Sequence, residues 1–129
     1  PAIDQLDTNV FSQQTAMRGV LEQTGTKGMA WGPMAQGKDG FFGHEILGRI
    51  GEKYGKTSTQ VGLRFLVQQG IPAIPKTTRI ERMRENFDIF DFRLDDEDMA
   101  ELMALNLHDA GTRDYTDLGY ASRIIAQTF

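Results

Sequence analysis

The segment Ile74 to Asn86, reading IPKTTRIERMREN, concentrates groups suited to holding an anion. Lys76 and Arg82 bring positive charge, and the hydroxyls of Thr77 and Thr78 are hydrogen-bond donors. The run GIPAIPK before it is expected to be a short buried strand, and RIERMREN to be a short helix. A turn between a parallel strand and a helix start presents unpaired backbone N–H groups and the favourable end of the helix dipole. A phosphate group is the ligand that such a turn suits. Glu85 and Asn86 fall at the end of the short helix, within reach of the same ligand's polar edge. Residue types alone also allow a plainer arrangement, in which Thr78 caps the helix, Lys76, Arg79, Arg82 and Arg84 form its solvated face, and Asn86 terminates it.

The elements that must position this turn are legible upstream. AIDQLD has the length and boundaries of a short strand. Ser12 is expected to cap the helix QQTAMRGVLEQTG, with Gly25 ending it. GMAWGPMA is a second short strand, ended by Gly32 and Pro33 and followed by the loose QGKDGFFG. HEILGRIGEKYG places Ile46, Leu47, Ile50 and Tyr54 on one face, with Gly55 as its stop. Thr57 caps a broadly apolar helix carrying Val61, Leu63, Phe65, Leu66 and Val67 and terminated by Gly70. FDIFDF reads as an extended connector, and DDEDMAELMALN as a last helix capped by Asp95, with acidic residues in its first turn. Short buried strands alternating with amphipathic helices predict βαβ units and a parallel sheet. Three strands are few for a self-sufficient α/β sheet, and a closed (β/α)8 barrel needs about 250 residues. The expected fold is therefore a partial (β/α)8 barrel over residues 1–106, with a carboxyl-terminal tail over 107–129.

Composition removes several functions. The chain of 129 residues is 40% hydrophobic and 25% charged, which suits one globular domain. Its net charge of -4 argues against nonspecific binding to nucleic acid or anionic membranes, so an anion site must be local. The absence of cysteine excludes disulfides, thiolate metal sites and a cysteine nucleophile. No apolar run approaches the roughly 18 residues of a membrane span. The start, PAIDQLDTNV, lacks the pattern of a signal peptide, so a cytoplasmic setting is expected. A chain opening at Pro1 on strand-like sequence suggests that something precedes it.

The stretch GKTSTQVGLRFLVQQGIPAIPKTTRIERMRENFDIFDFRLDDEDM resembles the carboxyl-terminal part of aldo-keto reductases, and AWGPMAQGKDGFFGHEILGRIGEKYG resembles the bacterial branch near the diketogluconate reductases. The resemblance runs from Ala2 to about Asn106. It implies the last three βα units of the barrel, NADPH as cofactor and a small carbonyl compound as substrate. It assigns Lys76, Thr77, Thr78 and Arg82 to the 2′-phosphate, and Glu85 and Asn86 to the adenine. It also assigns Gln5, on what would be the sixth strand, to the nicotinamide carboxamide, and Trp31 to stacking on the nicotinamide ring. Gly32, Met34 and Gln36 match the loop that crosses the pyrophosphate. Without the family, Trp31 would read as a core aromatic and Gln5 as a sheet-surface residue. Thr77 replaces the usual serine and keeps its hydroxyl. After Asp4-Gln5-Leu6-Asp7 the chain continues Thr8, Asn9, Val10 where relatives have an aromatic and His-Pro, which alters the substrate-side rim.

No catalytic residue is assigned, because the family's tyrosine, lysine, aspartate and histidine belong to the first half of the barrel. Tyr54, Tyr115 and Tyr120 match no motif, and His44 and His108 read as helix caps or solvent-facing residues. The expectation is a cofactor-binding half of a reductase, inactive alone and completed by a missing amino-terminal half. The alternatives are a non-catalytic NADPH-binding module and a self-associating half-barrel with exposed strand edges.

Overall fold

The computed structural model describes residues 1–107; His108, Tyr115 and Tyr120 lie outside the described residues. Three parallel strands, β1 (Ile3–Asp7), β2 (Lys27–Trp31) and β3 (Ala73–Ile74), form one sheet in the order β1-β2-β3. Helix α1 (Thr15–Thr24) links β1 to β2. Two single-turn 3₁₀ segments, Ala35–Gly37 and Phe41–Gly43, then lead into α2 (Glu45–Tyr54) and α3 (Ser58–Gln68) before β3. Helices α4 (Ile80–Phe87) and α5 (Asp96–Met103) follow. This is the parallel α/β sheet that the alternation predicted, consistent with part of a barrel.

Side-chain alternation divides the sheet into two unlike faces. Ala30 is fully buried, and a Cβ built on Gly28 would meet Leu21 of α1 at 3.4 Å, so that face of β2 is the one helices cover. The opposite face carries Ile3, Gln5, Met29, Trp31 and Ile74, with Ile3 53% and Ile74 44% exposed. In a closed barrel such a face would be the packed interior. Among the described residues, β1 and β3 each have one edge without a strand partner.

The main core lies on the helix side. Phe11, Phe41, Leu47, Ile50, Val61, Phe65, Leu66, Leu94 and Leu102 are buried together. Local chemistry sets most helix limits as expected. Gly25 and Gly55 adopt left-handed conformations after α1 and α2, where a Cβ would be costly. Thr57 and Asp95 each form a capping box, with Gln60 and Asp98 respectively.

Ser12 does not cap α1. Its hydroxyl donates to the Asp7 carbonyl at 3.3 Å, and its backbone pairs with Asn9 in a tight turn. The helix starts three residues later, after Gln14 in a left-handed conformation without a side-chain cap. The third strand is shorter than IPAIP suggests. Pro72 and Pro75 flank it, and neither has an N–H for the ladder.

Candidate functional site

The register aligns Asp7 with Trp31 and Trp31 with Ile74, so the three strands end level. Loops leaving the carboxyl ends of parallel strands therefore gather on one side, the usual place for a ligand in α/β proteins. The loop after β1 is firmly seated: Thr8, Asn9, Val10, Phe11 and Ser12 are all buried. Asn9 folds it back by accepting the Phe11 N–H at 3.0 Å. Gln13 ties it to the carboxyl end of α5 through the Leu102 carbonyl (2.9 Å) and the Asn106 side chain (3.0 Å).

The loop after β2 is tightly wound. Gly32 has a φ of 62°, and Ala35 and Gln36 follow with φ of 50° and 54°, conformations unusual for residues with a side chain. A Cβ at Gly32 would lie 3.0 Å from an Asp7 carboxylate oxygen, so glycine lets the two loops approach. The Gln36 side chain lies beside Gly32, since that same Cβ would be 3.7 Å from its amide nitrogen.

The loop after β3 and helix α4 complete a cleft of about 270 Å³, lined by Met34, Phe42, Thr59, Lys76, Thr77, Arg82, Glu85 and Asn86. Six of these were singled out in the sequence: Met34, Lys76, Thr77, Arg82, Glu85 and Asn86. Gly32, Gln36 and Thr78 belong to the adjoining loops without lining the cleft. Gln5 and Trp31 sit on the open face of the sheet, on neighbouring strands. Thr78 does not cap α4. The Thr77 hydroxyl accepts the Arg79 N–H at 3.1 Å, and Arg79 stands at the N-cap without a side-chain bond.

Phe42 and Thr59 are cleft residues that sequence reasoning missed. Phe42 is 60% exposed, yet its ring stands edge-on to the buried Phe41 with centroids 5.5 Å apart. Gly37 permits this placement, because a Cβ there would lie 3.1 Å from the Phe42 ring. An exposed aromatic in a glycine-rich loop was the available signal. Thr59 lies two residues beyond the Thr57 cap.

A tyrosine, a lysine and an aspartate do meet, but outside the cleft. The Tyr54 hydroxyl donates to the buried Asp98 and accepts the Asp95 N–H, and Lys53 pairs with both aspartates. Burial and the Asp98 carboxylate push the Tyr54 hydroxyl above its ordinary value. That direction keeps the phenol protonated, and the cluster fastens α2 to α5. Lys56, raised by Asp91 and Asp88, fastens the α2–α3 turn to the connector after α4 in the same way. His44 occupies the N-cap position of α2, but its ring packs against Phe11 at 5.2 Å instead of capping with its side chain. Among the described residues no group of three His, Cys, Asp or Glu is placed to hold a metal ion, and no helix is long and apolar enough to cross a membrane.

Comparison with known proteins gives a consistent picture. The model of the aldo/keto reductase family matches residues 43–107. The chain is 33% identical over 106 residues to methylglyoxal reductase DkgA of Escherichia coli K12, a match covering 82% of this chain and 38% of that protein. It is 35% identical over 107 residues to the 9,11-endoperoxide prostaglandin H2 reductase of Trypanosoma cruzi, again over 38% of that protein. In structure it superposes on a variant of Gox0644 in complex with NADPH with a TM-score of 0.82 and 31% identity, covering 88% of this chain and 41% of that one. The aldose reductase of Schistosoma japonicum matches with a TM-score of 0.81 and 27% identity, over 95% of this chain and 38% of that one. The chain thus spans well under half the length of these relatives.

Proposed function

The chain belongs to the aldo/keto reductase family, and on that premise we propose that it is the NADPH-binding part of a reductase that converts aldehydes or ketones to alcohols. The observation that carries this reading is the cleft that gathers Lys76, Thr77 and Arg82 beside Glu85 and Asn86. Lys76, Arg82 and the hydroxyls of Thr77 and Thr78 hold the 2′-phosphate. Glu85 and Asn86 take the polar edge of the adenine. Gly32, Met34 and Gln36 follow the pyrophosphate, Trp31 stacks on the nicotinamide, and Gln5 binds its carboxamide. The fit is supported by the cations and hydroxyls that line the cleft and by an aromatic and an amide side chain on neighbouring strands of the open face. When bound, the dinucleotide supplies a hydride to a carbonyl carbon. This chain's residues bind and orient it, and none of the described residues lining the cleft is a tyrosine or histidine able to deliver the accompanying proton.

On this reading residues 1–106 are the last three βα units of the barrel, the chain alone is inactive, and a complementary amino-terminal half supplies the proton donor and most of the substrate pocket. Its setting is the cytoplasm. The test is a titration with NADPH followed by the fluorescence of the single tryptophan, Trp31. Saturable quenching that weakens in Arg82→Ala is expected, and a flat titration by the folded chain would overturn the assignment of the cleft.

One observation favours a second reading, a half-barrel that pairs with another copy. Ile80, Met83, Phe87 and Phe90 are all more than half exposed, and Met83, Phe87 and Phe90 line one hollow with Ala73 of β3, a strand whose other edge has no partner among the described residues. Contiguous apolar surface next to an open strand edge is a site of association. Sedimentation across a concentration series is expected to show dimers that Phe87→Asp disperses. A monomer at every concentration would eliminate this reading.

A further inference from the structure

We propose that Thr57 is a positioning residue for the cleft: the cap of α3 holds the Glu85 carboxylate in place through the donor half of its hydroxyl. This rests on the reading of the cleft as a cofactor site. The Thr57 hydroxyl accepts the Gln60 N–H at 3.3 Å, and the Gln60 side-chain oxygen accepts the Thr57 N–H at 3.0 Å. These two bonds are all that a capping box needs to satisfy the helix start. Three further bonds reach the end of α4. The Thr57 hydroxyl donates to Glu85 Oε1 at 2.6 Å, and Gln60 Nε2 donates to the backbone carbonyls of Glu85 (3.2 Å) and Asp88 (2.8 Å).

The acceptor side of the hydroxyl therefore serves the helix, while its proton serves the cleft. Glu85 is half-buried and lines the cleft beside Asn86. With Oε1 held by Thr57, its other oxygen is the one available to a donor on a ligand. A free glutamate side chain would have to be ordered on binding, at a cost in conformational entropy. Gln60 is buried and fixes the backbone beneath Glu85, so the box sets both the main chain and the side chain of this wall. Thr59, in the same turn, lines the cleft itself.

The two roles of the hydroxyl can be separated. Thr57→Ser keeps acceptor and donor. Thr57→Asp keeps a good cap acceptor but removes the donor and places a like charge against Glu85. Calorimetric titration of the full chain with adenosine 2′,5′-bisphosphate and with NADPH is the measurement, alongside thermal melting. The expected result is native affinity for the Ser variant and a loss of about tenfold for the Asp variant, with a cooperative melt showing that each variant is folded. If the Asp variant fails to fold, Thr57→Gly serves, since glycine is tolerated as a cap and has no donor; the same loss is expected. Native affinity in the Asp or Gly variant would overturn the positioning role and leave the cleft assignment standing. No binding of either probe by the unmodified, folded chain would overturn both.

Discussion

Replacing Phe41 by alanine is expected to destabilise the chain by about 3–5 kcal/mol, the range for removing a fully buried aromatic that its neighbours cannot replace. Phe41 is 0% exposed and meets the rings of Phe11 at 6.1 Å and Phe42 at 5.5 Å. Its ring also lies against the backbone of α3, where a Cβ on Gly62 would come within 2.7 Å of it. One side chain thus joins the loop after β1, the loop after β2 and helix α3. Helices cannot close readily over the space it would leave, because the approach is already limited by main chain at Gly62. Denaturant unfolding of the wild-type and variant chains checks this. A loss below about 1 kcal/mol would mean that the core collapses around the gap and that Phe41 does not carry the loop. The loop matters to the site because it presents Phe42 to the cleft.

The features that sequence made legible are those decided within a few residues. Gly25 and Gly55 end helices because a left-handed residue is needed there. Thr57 and Asp95 start them because an acceptor side chain and a partner three residues on are both local. The basic turn from Lys76 to Asn86 was legible for the same reason, since its charges and hydroxyls follow one strand and open one helix. The failures have a common cause. Ser12 looked like a cap, yet its hydroxyl is taken by the Asp7 carbonyl in a turn that only the folded loop creates. Thr77 and Thr78 are equivalent in composition, and the turn geometry gives the Arg79 N–H to Thr77. Phe42 and Thr59 reach the cleft across long stretches of sequence, so only the packing of the β2 loop on α3 brings them there. The bond from Leu107 N–H to the Phe11 carbonyl, at 2.8 Å, likewise ties the expected tail boundary to the first loop in a way that no periodicity announces.

Two scales of organisation follow from this. The helix side of the sheet has a buried aromatic core, and capping boxes start α3 and α5, so it can hold the cleft residues in place. The other face, bearing Gln5, Met29, Trp31 and Ile74, has the apolar character of an interior and the exposure of a surface. The phosphate end of the proposed site therefore draws on α3, α4 and the loops packed beside them. The proposed nicotinamide end lies on the exposed face that carries Gln5 and Trp31. Fragments carrying the adenosine phosphate should bind with most of the affinity of the whole dinucleotide.

Lys76→Ala is then expected to weaken NADPH binding by about tenfold to a hundredfold while leaving NADH nearly unchanged. The range corresponds to losing one charge-assisted contact, worth about 1.5–3 kcal/mol. Lys76 follows β3 directly and lines the cleft with Thr77 and Arg82, so its ammonium adds to a site already built from a hydroxyl and a guanidinium. Only the 2′-phosphate distinguishes the two cofactors, and a dianion gains far more from that charge than a ribose hydroxyl does. Because Lys76 and Arg82 are exposed, the contact is screened, and the NADPH preference should shrink as salt is raised from about 0.05 to 0.5 M. Arg82→Ala should lose affinity for both cofactors if the guanidinium also faces the adenine, but more for NADPH. Titrations of both variants with both cofactors at two salt concentrations decide the matter. Equal losses of NADPH and NADH in Lys76→Ala would place the phosphate elsewhere, and would reduce the turn from Lys76 to Asn86 to the solvated start of a helix.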